Sequence, residues 1–318
     1  MSYDGAWSPK GTMPDEQRQA KRTVIVNGSF DGVHLGHQAL LRRAAELAQA
    51  RAAQSVALTF ELPPQNYLAR PKRLILPPER KIERLRDYVD RVVVIDFPTV
   101  QSLTPAAFAR QILHDRLGAI AVVSGEDYRF GHERRGDLSR LRELGAELGF
   151  SAHVVPPVLL EGEPVSSTRV RRAIEAGEIA LATRLLGDAP RLWGRVERGA
   201  GRGRQLGAPT ANLAVDPRLV LPEQGIFAAQ VYWQQRWWPA AFYVGRRPSF
   251  AADGRPAALE VHLLDFEGDL YGRELEVKLL AKIRDDRRFE QVEALVDQMS
   301  EDLAKIRGFF QEANEPGH

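Results

Sequence analysis

The stretch Thr23-Val24-Ile25-Val26-Asn27-Gly28-Ser29-Phe30-Asp31-Gly32-Val33-His34-Leu35-Gly36-His37 decides the fold. It opens with a β-branched run, passes through a glycine-rich turn, and leads into residues 38–51. There Leu40, Leu41, Ala44, Leu47 and Ala48 recur at helical spacing. A buried strand, a glycine turn and a helix begin a βαβ unit.

The same grammar continues outward. Residues 55–60, 92–95, 119–123 and 153–155 read as strands, and residues 80–88, 106–117 and 138–148 as the helices between them. Continuous β-branched runs separated by amphipathic helices predict a parallel sheet covered on both faces, a doubly wound α/β, Rossmann-like domain. Ligands of such sheets sit at the C-terminal ends of the strands, where the Gly28 turn falls. Two more helices are expected over 167–176 and 179–186, and the text then changes at Gly187-Asp188-Ala189-Pro190. Beyond that break come short alternating segments at 192–196, 225–233, 237–244, 259–266 and 275–280, separated by turn residues. They predict an antiparallel barrel or sandwich. Phe289, Val292, Val296, Met299, Leu303, Ile306 and Phe310 then follow at three- and four-residue steps, predicting a long closing helix over 289–310.

The totals agree with two domains, since 318 residues exceed one economical core. No run approaches the ~20 apolar residues of a membrane span, so a membrane role is not expected. Residues 1–21 carry Pro9, Pro14 and mixed charge without an apolar core, and read as a disordered tail rather than a signal peptide. A cytoplasmic protein is expected. The absence of cysteine excludes disulfides, thiolate catalysis and Cys-ligated zinc. A net charge of +2 gives no argument for a nucleic-acid partner. Oligomeric state is not legible.

Two places carry chemistry. His34 and His37 stand where a strand turns into a helix, so both imidazoles can face the space above the helix N-terminus. Backbone N–H groups and the helix dipole favour anions there. Gly28, Gly32 and Gly36 let the backbone approach a ligand, Asp31 can fix the turn, and the whole loop with Phe30 suits an ATP triphosphate. One donor aimed at transferring phosphate is worth ~3 kcal/mol in the transition state. The plain alternative is a pair of turn histidines that cap a helix or bind a metal. A second phosphate element is expected at Ser167, Thr168 and Arg171, a hydroxyl-rich helix start followed by charge.

Farther on, the glycine- and arginine-rich run from Gly194 to Asn212 includes Gly203, Arg204 and Gly207. It reads as a basic flap whose backbone N–H groups cover nucleotide phosphates. Thr210 and Asn212 lie two residues apart in extended chain, and their neutral oxygens suit Mg²⁺ shared with those phosphates.

In order along the chain, Gly28–His37, Gly125-Glu126-Asp127-Tyr128-Arg129-Phe130-Gly131 and Ser166-Ser167-Thr168 with Arg171 resemble the adenylyltransferase motifs of prokaryotic bifunctional riboflavin kinase/FAD synthetases. The run ending Gln205-Leu206-Gly207-Ala208-Pro209-Thr210-Ala211-Asn212, then Leu259-Glu260-Val261-His262 and Asp269-Leu270-Tyr271-Gly272, resembles the riboflavin kinase signature of the same family. The resemblance spans nearly the whole folded chain. It implies an HxGH nucleotidyltransferase domain over 22–187 and a β-barrel riboflavin kinase domain with its long helix over 188–312, followed by a tail at 313–318. It implies phosphorylation of riboflavin to FMN, then transfer of AMP from ATP to FMN, giving FAD and pyrophosphate with Mg²⁺. By position it makes Glu260 the general base of the kinase step and places Arg284, Arg287 and Phe289 by the flavin. It likewise places Asp127, Arg129 and Phe130 near the flavin of the first domain.

Two departures qualify that expectation. The family usually reads T-F-[DE]-P-H-P after the second strand, where this chain has Thr59-Phe60-Glu61-Leu62-Pro63-Pro64. A lost polar contact at a ligand costs ~1–3 kcal/mol, so adenylyl transfer is expected to slow or its acceptor to change. Tyr243-Val244-Gly245 stands where N-I-G is common, and tuned binding is expected. The rivals are a kinase joined to a regulatory nucleotide- or flavin-binding domain, and a nucleotidyltransferase for another phosphate ester.

Overall fold

The computed structural model describes residues 22–67, 71–198, 209–245 and 258–314. The expected tail at 1–21, Gly203, Arg204 and Gly207 of the flap, the stretch at 246–250 and the final residues 315–318 lie outside the described residues. The described chain divides into two compact units. One runs to Lys72 and resumes over Pro77–Ser167; the other joins Arg73–Leu76 to everything from Thr168 onward.

In the first unit, β1 (Thr23–Asn27), β2 (Gln54–Phe60), β3 (Arg91–Ile95), β4 (Ala119–Gly125) and β5 (Ser151–Val155) form one sheet in the order β3-β2-β1-β4-β5. Every pairing in it is parallel. α1 (Leu35–Ala50), α2 (Pro78–Arg86) and α5 (Leu138–Leu148) are the main helices, with a short hairpin β6 (Leu159–Leu160) and β7 (Glu163–Pro164) near the end. Val24, Ile25 and Val26 are completely buried, as a strand covered on both faces requires.

Local differences from expectation have physical reasons. α1 begins at Leu35 rather than residue 38, because His34 caps it in extended conformation and brings the first turn forward. The helix expected over 106–117 is observed without interruption from Pro105 to Arg116 but changes type at Ala109. α3 (Phe97–Val100) precedes α4 (Pro105–Phe108), and Ala109–Arg116 continues as a π-helix that buries Ile112 and Leu113.

The second unit begins along α6 (Ser167–Glu175), followed by α7 (Ile179–Leu186). Six strands then close a barrel: β8 (Arg191–Glu197), β9 (Ala211–Val215), β10 (Gly225–Trp233), β11 (Arg236–Gly245), β12 (Ala258–Leu263) and β13 (Glu274–Asp285). The circuit runs β10-β11-β12-β9-β8-β13, so the barrel alternative holds and no sandwich forms. β9 was not expected as a strand of its own; it bridges β8 and β12. The close approach of β8 to β9 needs Gly194, where a Cβ would lie 2.7 Å from the Ala214 carbonyl. α8 (Val292–Asn314) starts three residues later than expected and packs against β10, β11 and β13, seating Ile306 on Ala228 and Leu264. The detached segment Arg73–Leu76 belongs here through a parallel bridge from Leu74 to Leu219.

Candidate active sites

The order of the first sheet reverses between β1 and β4, and that crevice is where a doubly wound sheet takes its ligand. Two loops meet there. The β1 loop carries Gly28 to His37, and the loop after β4 carries Asp127 to Phe130. They are joined by the Asn27 side-chain amide, which donates to the Tyr128 hydroxyl at 2.7 Å. Burial pushes the Tyr128 phenol far up, so it stays a neutral partner.

The histidine loop is stiff. Phe30 and Val33 sit at positive φ, 50° and 42°, and Gly32 at 84°. Such backbone in non-glycine residues persists only where its surroundings enforce it. Phe30 supplies part of that enforcement, completely buried with its ring edge-on to His37 at 5.3 Å. The His34 and His37 rings stack at 3.6 Å, and the His37 backbone N–H donates to His34 Nδ1 at 3.4 Å. With Nδ1 accepting, a neutral His34 carries its proton on Nε2. The capping alternative is thus partly right, since His34 does cap α1, and the cap fixes the ring beside the helix N-terminus. Ser167 ties in by donating its hydroxyl to the Asp31 carbonyl at 2.8 Å.

In the barrel, strand register builds the site. Glu260 of β12 lies opposite Tyr243 of β11 on one side and Asn212 of β9 on the other. Buried Val261 and Leu263 alternate with the half-buried Glu260, so the carboxylate lies on the opposite face. The Thr210 hydroxyl donates to Glu260 Oε2 at 2.7 Å. These groups open on a cavity of about 270 Å³ between the barrel and α8, where Leu295, Met299 and Leu303 form an apolar wall. Across it, Arg284 is clamped by Asp302: Nε reaches both carboxylate oxygens at 2.9 and 3.0 Å, and Nη2 reaches Oδ2 at 2.7 Å. Phe289 lies 6.0 Å from the Arg284 guanidinium and 5.6 Å from that of Arg287. The Tyr243 hydroxyl donates to Asp286 at 3.3 Å, and burial together with that carboxylate pushes the phenol up to about 12.

Comparison with known proteins agrees with this division. A family model described as FAD synthetase matches residues 16–169, and one described as riboflavin kinase matches residues 186–310. A bifunctional riboflavin kinase/FMN adenylyltransferase of Pseudomonas fluorescens is 41% identical over 89% of this chain and 92% of its own length. The chain belongs to that family. The Escherichia coli K12 member is 36% identical over 90% of this chain and 92% of its own. A solved Streptococcus pneumoniae structure, named as a macrolide-efflux protein, is 34% identical with a TM-score of 0.81, covering 90% of this chain and 94% of that one.

Within the bifunctional family's pattern, the barrel brings Thr210, Asn212, Glu260, Arg284, Arg287 and Phe289 into one neighbourhood. In the first unit Asp127 and Arg129 are exposed, whereas Phe130 is buried in the core and stacks on Tyr128 at 5.4 Å. The Phe30 and Phe130 rings therefore support the two loops from beneath, and little of either can touch a ligand directly. Thr168 is exposed at the start of α6, and Arg171 donates to the Arg73 carbonyl at 2.7 Å. Sequence reasoning passed over Asp286 and Asp302. Nothing in their local spelling marks them, although Asp302 sits on the inner stripe of α8 with Met299 and Leu303. The loop after β2 is well organised: Pro64–Tyr67 forms a 3₁₀ turn, and Phe60 and Tyr67 pack on Phe97 at 5.5 and 5.4 Å.

Among the described residues, no helix is long and apolar enough to cross a membrane, and no three His, Cys, Asp or Glu side chains are grouped to hold a metal.

Proposed function

We propose that the chain makes FAD in two ATP-dependent steps, riboflavin kinase chemistry in the barrel and FMN adenylyl transfer in the α/β unit. The observation that carries the reading is the Thr210–Glu260 hydrogen bond in a cavity walled by α8 and Arg284. Riboflavin occupies the cavity, its ring against the apolar face of α8 and near Phe289. Glu260 takes the proton of the ribityl 5′-hydroxyl as that oxygen attacks the γ-phosphorus of ATP, and ADP leaves. The Thr210 hydroxyl orients the carboxylate. Thr210 and Asn212 offer neutral oxygens beside a carboxylate, a donor set that fits Mg²⁺ shared with nucleotide phosphates. When bound, the ion supplies charge neutralisation of the polyphosphate.

In the other unit the FMN phosphate oxygen attacks the α-phosphorus of a second ATP, and pyrophosphate leaves. His34 and His37 donate to the oxygens on which charge builds, over the N-terminus of α1. The backbone of Gly28, Asp31, Gly32 and Gly36 approaches the nucleotide, and Ser167 serves its phosphates. Asp127 and Arg129 border the flavin. We place this work in the cytoplasm, where ATP and riboflavin are available and a chain without cysteine has no need of oxidation.

Purified protein supplied with riboflavin, ATP and Mg²⁺, with flavins separated by chromatography, tests the reading. FMN appears first and FAD follows. FMN without FAD would restore the kinase with a regulatory partner domain, and no flavin product at all would overturn both steps.

A further inference from the structure

The motifs leave one buried charge without a role. Lys81, on α2, is 3% exposed, and its ammonium donates to the carbonyls of Phe60 and Glu61, at 2.5 and 2.9 Å. Those carbonyls belong to the two residues immediately before Leu62 and Pro63, where this chain departs from its family. The carboxylates whose charge acts on the ammonium are Asp31, in the histidine loop, and Glu61, in the loop after β2. One buried cation therefore relates the histidine loop to the loop after β2. A buried lysine is costly, and a fold that needed only packing at this position would be served better by an apolar residue of the same length.

We infer that the loop after β2 borders the FMN of this unit and that Lys81 is its positioning residue, holding the Phe60 and Glu61 carbonyls and aligning that loop with the Asp31 turn. The inference rests on the adenylyl-transfer reading of this unit. Proline at 63 contributes no side-chain donor, so the loop's place depends on its backbone, and the backbone oxygens are what Lys81 grips. The aromatic packing of Phe60 and Tyr67 on Phe97 fixes the loop's outer side, while Lys81 fixes its inner side. Burial lowers the Lys81 ammonium to about 8, against the pull of Asp31 and Glu61. The grip is therefore present at neutral pH and is lost as pH rises through that value, because a neutral amine donates only weakly to carbonyls.

The test measures FAD formation from supplied FMN and FMN formation from riboflavin in the same preparations. Wild-type FAD formation is the control for the underlying reading; its absence would defeat that reading, not the Lys81 inference alone. Given an active wild type, Lys81→Met raises KM for FMN by about tenfold or more, the scale of a lost charge-assisted bond. KM for ATP and the kinase rate change less than about twofold, whereas partial unfolding of the unit would lower kcat and leave both KM values alone. Should Lys81→Met make too little FAD for KM to be read, wild-type protein decides. Its KM for FMN climbs between pH 7 and 9.5 while its KM for ATP at the same site stays level. An unchanged KM for FMN in Lys81→Met, or a level KM for FMN across that pH range in the wild type, would overturn the inference.

Discussion

The barrel site and the histidine-loop site differ in what holds their side chains. In the barrel, Glu260 is placed by strand register between Tyr243 and Asn212, and its hydrogen bond to Thr210 joins two groups that sequence already singled out. In the α/β unit the reacting groups stand where a loop enters a helix, His34 as the cap of α1 and His37 in its first turn. The loops around them are held by buried rings, positive-φ backbone and a buried ammonium, none of which touches the proposed chemistry directly. The lesson is that a site built on paired strands tolerates change in its surroundings, whereas a site built on loops depends on its supports. Substitutions at remote supports are expected to matter more in the first unit than in the second.

The sharpest way to break that comparison is to remove the chemistry from each site in turn. Glu260→Ala is expected to lower FMN formation by roughly a thousandfold, within the range of a lost general base, and to leave FAD formation from supplied FMN intact. Loss of both rates would show that the two units do not act separately. His37→Ala is expected to lower FAD formation by about a hundredfold, as for a lost transition-state donor, with the kinase rate unchanged. An unaltered FAD rate would reduce the histidine pair to a helix cap.

Smaller effects sharpen the contrast. Asp302→Ala removes the clamp on Arg284 and leaves that guanidinium partly buried without its carboxylate. Denaturant unfolding is expected to show a loss of about 1–3 kcal/mol, and KM for riboflavin to rise severalfold. Unchanged values in both assays would mean that the pair neither stabilises the barrel nor shapes the cavity. Pro63→His gives the loop after β2 a side-chain donor, and FAD formation is expected to rise by a few fold. No change would place residue 63 outside the acceptor site.

Much of this architecture was legible in the sequence because the two units use different periods. β-branched runs separated by helical stripes gave the parallel sheet, and short alternating segments gave the barrel strands. β9 escaped notice because Ala211–Val215 follows the glycine-arginine run, whose composition masks the alternation. The change from α- to π-helix at Ala109 escaped because it alters the hydrogen-bond register without interrupting the run of helical residues. Among site residues, those in contiguous motifs were found, from the His34 loop to Thr210 and Asn212. Lys81, Asp286 and Asp302 were not, since their partners lie far off in the chain: Lys81 meets Phe60 and Glu61, and Asp302 meets Arg284. Buried charges are recognised by their partners, and partners of that kind appear only once the chain is folded.

The central claim is that two independent ATP-using sites act in sequence on a flavin. It is tested most directly by complementation: Glu260→Ala and His37→Ala proteins are supplied with riboflavin, ATP and Mg²⁺, separately and mixed in equal amounts. Each alone is expected to make no more than traces of FAD, Glu260→Ala leaving riboflavin and His37→Ala stopping at FMN, while the mixture makes FAD readily. A mixture that accumulates FMN and no FAD, or either single variant making FAD from riboflavin at the wild-type rate, would contradict it.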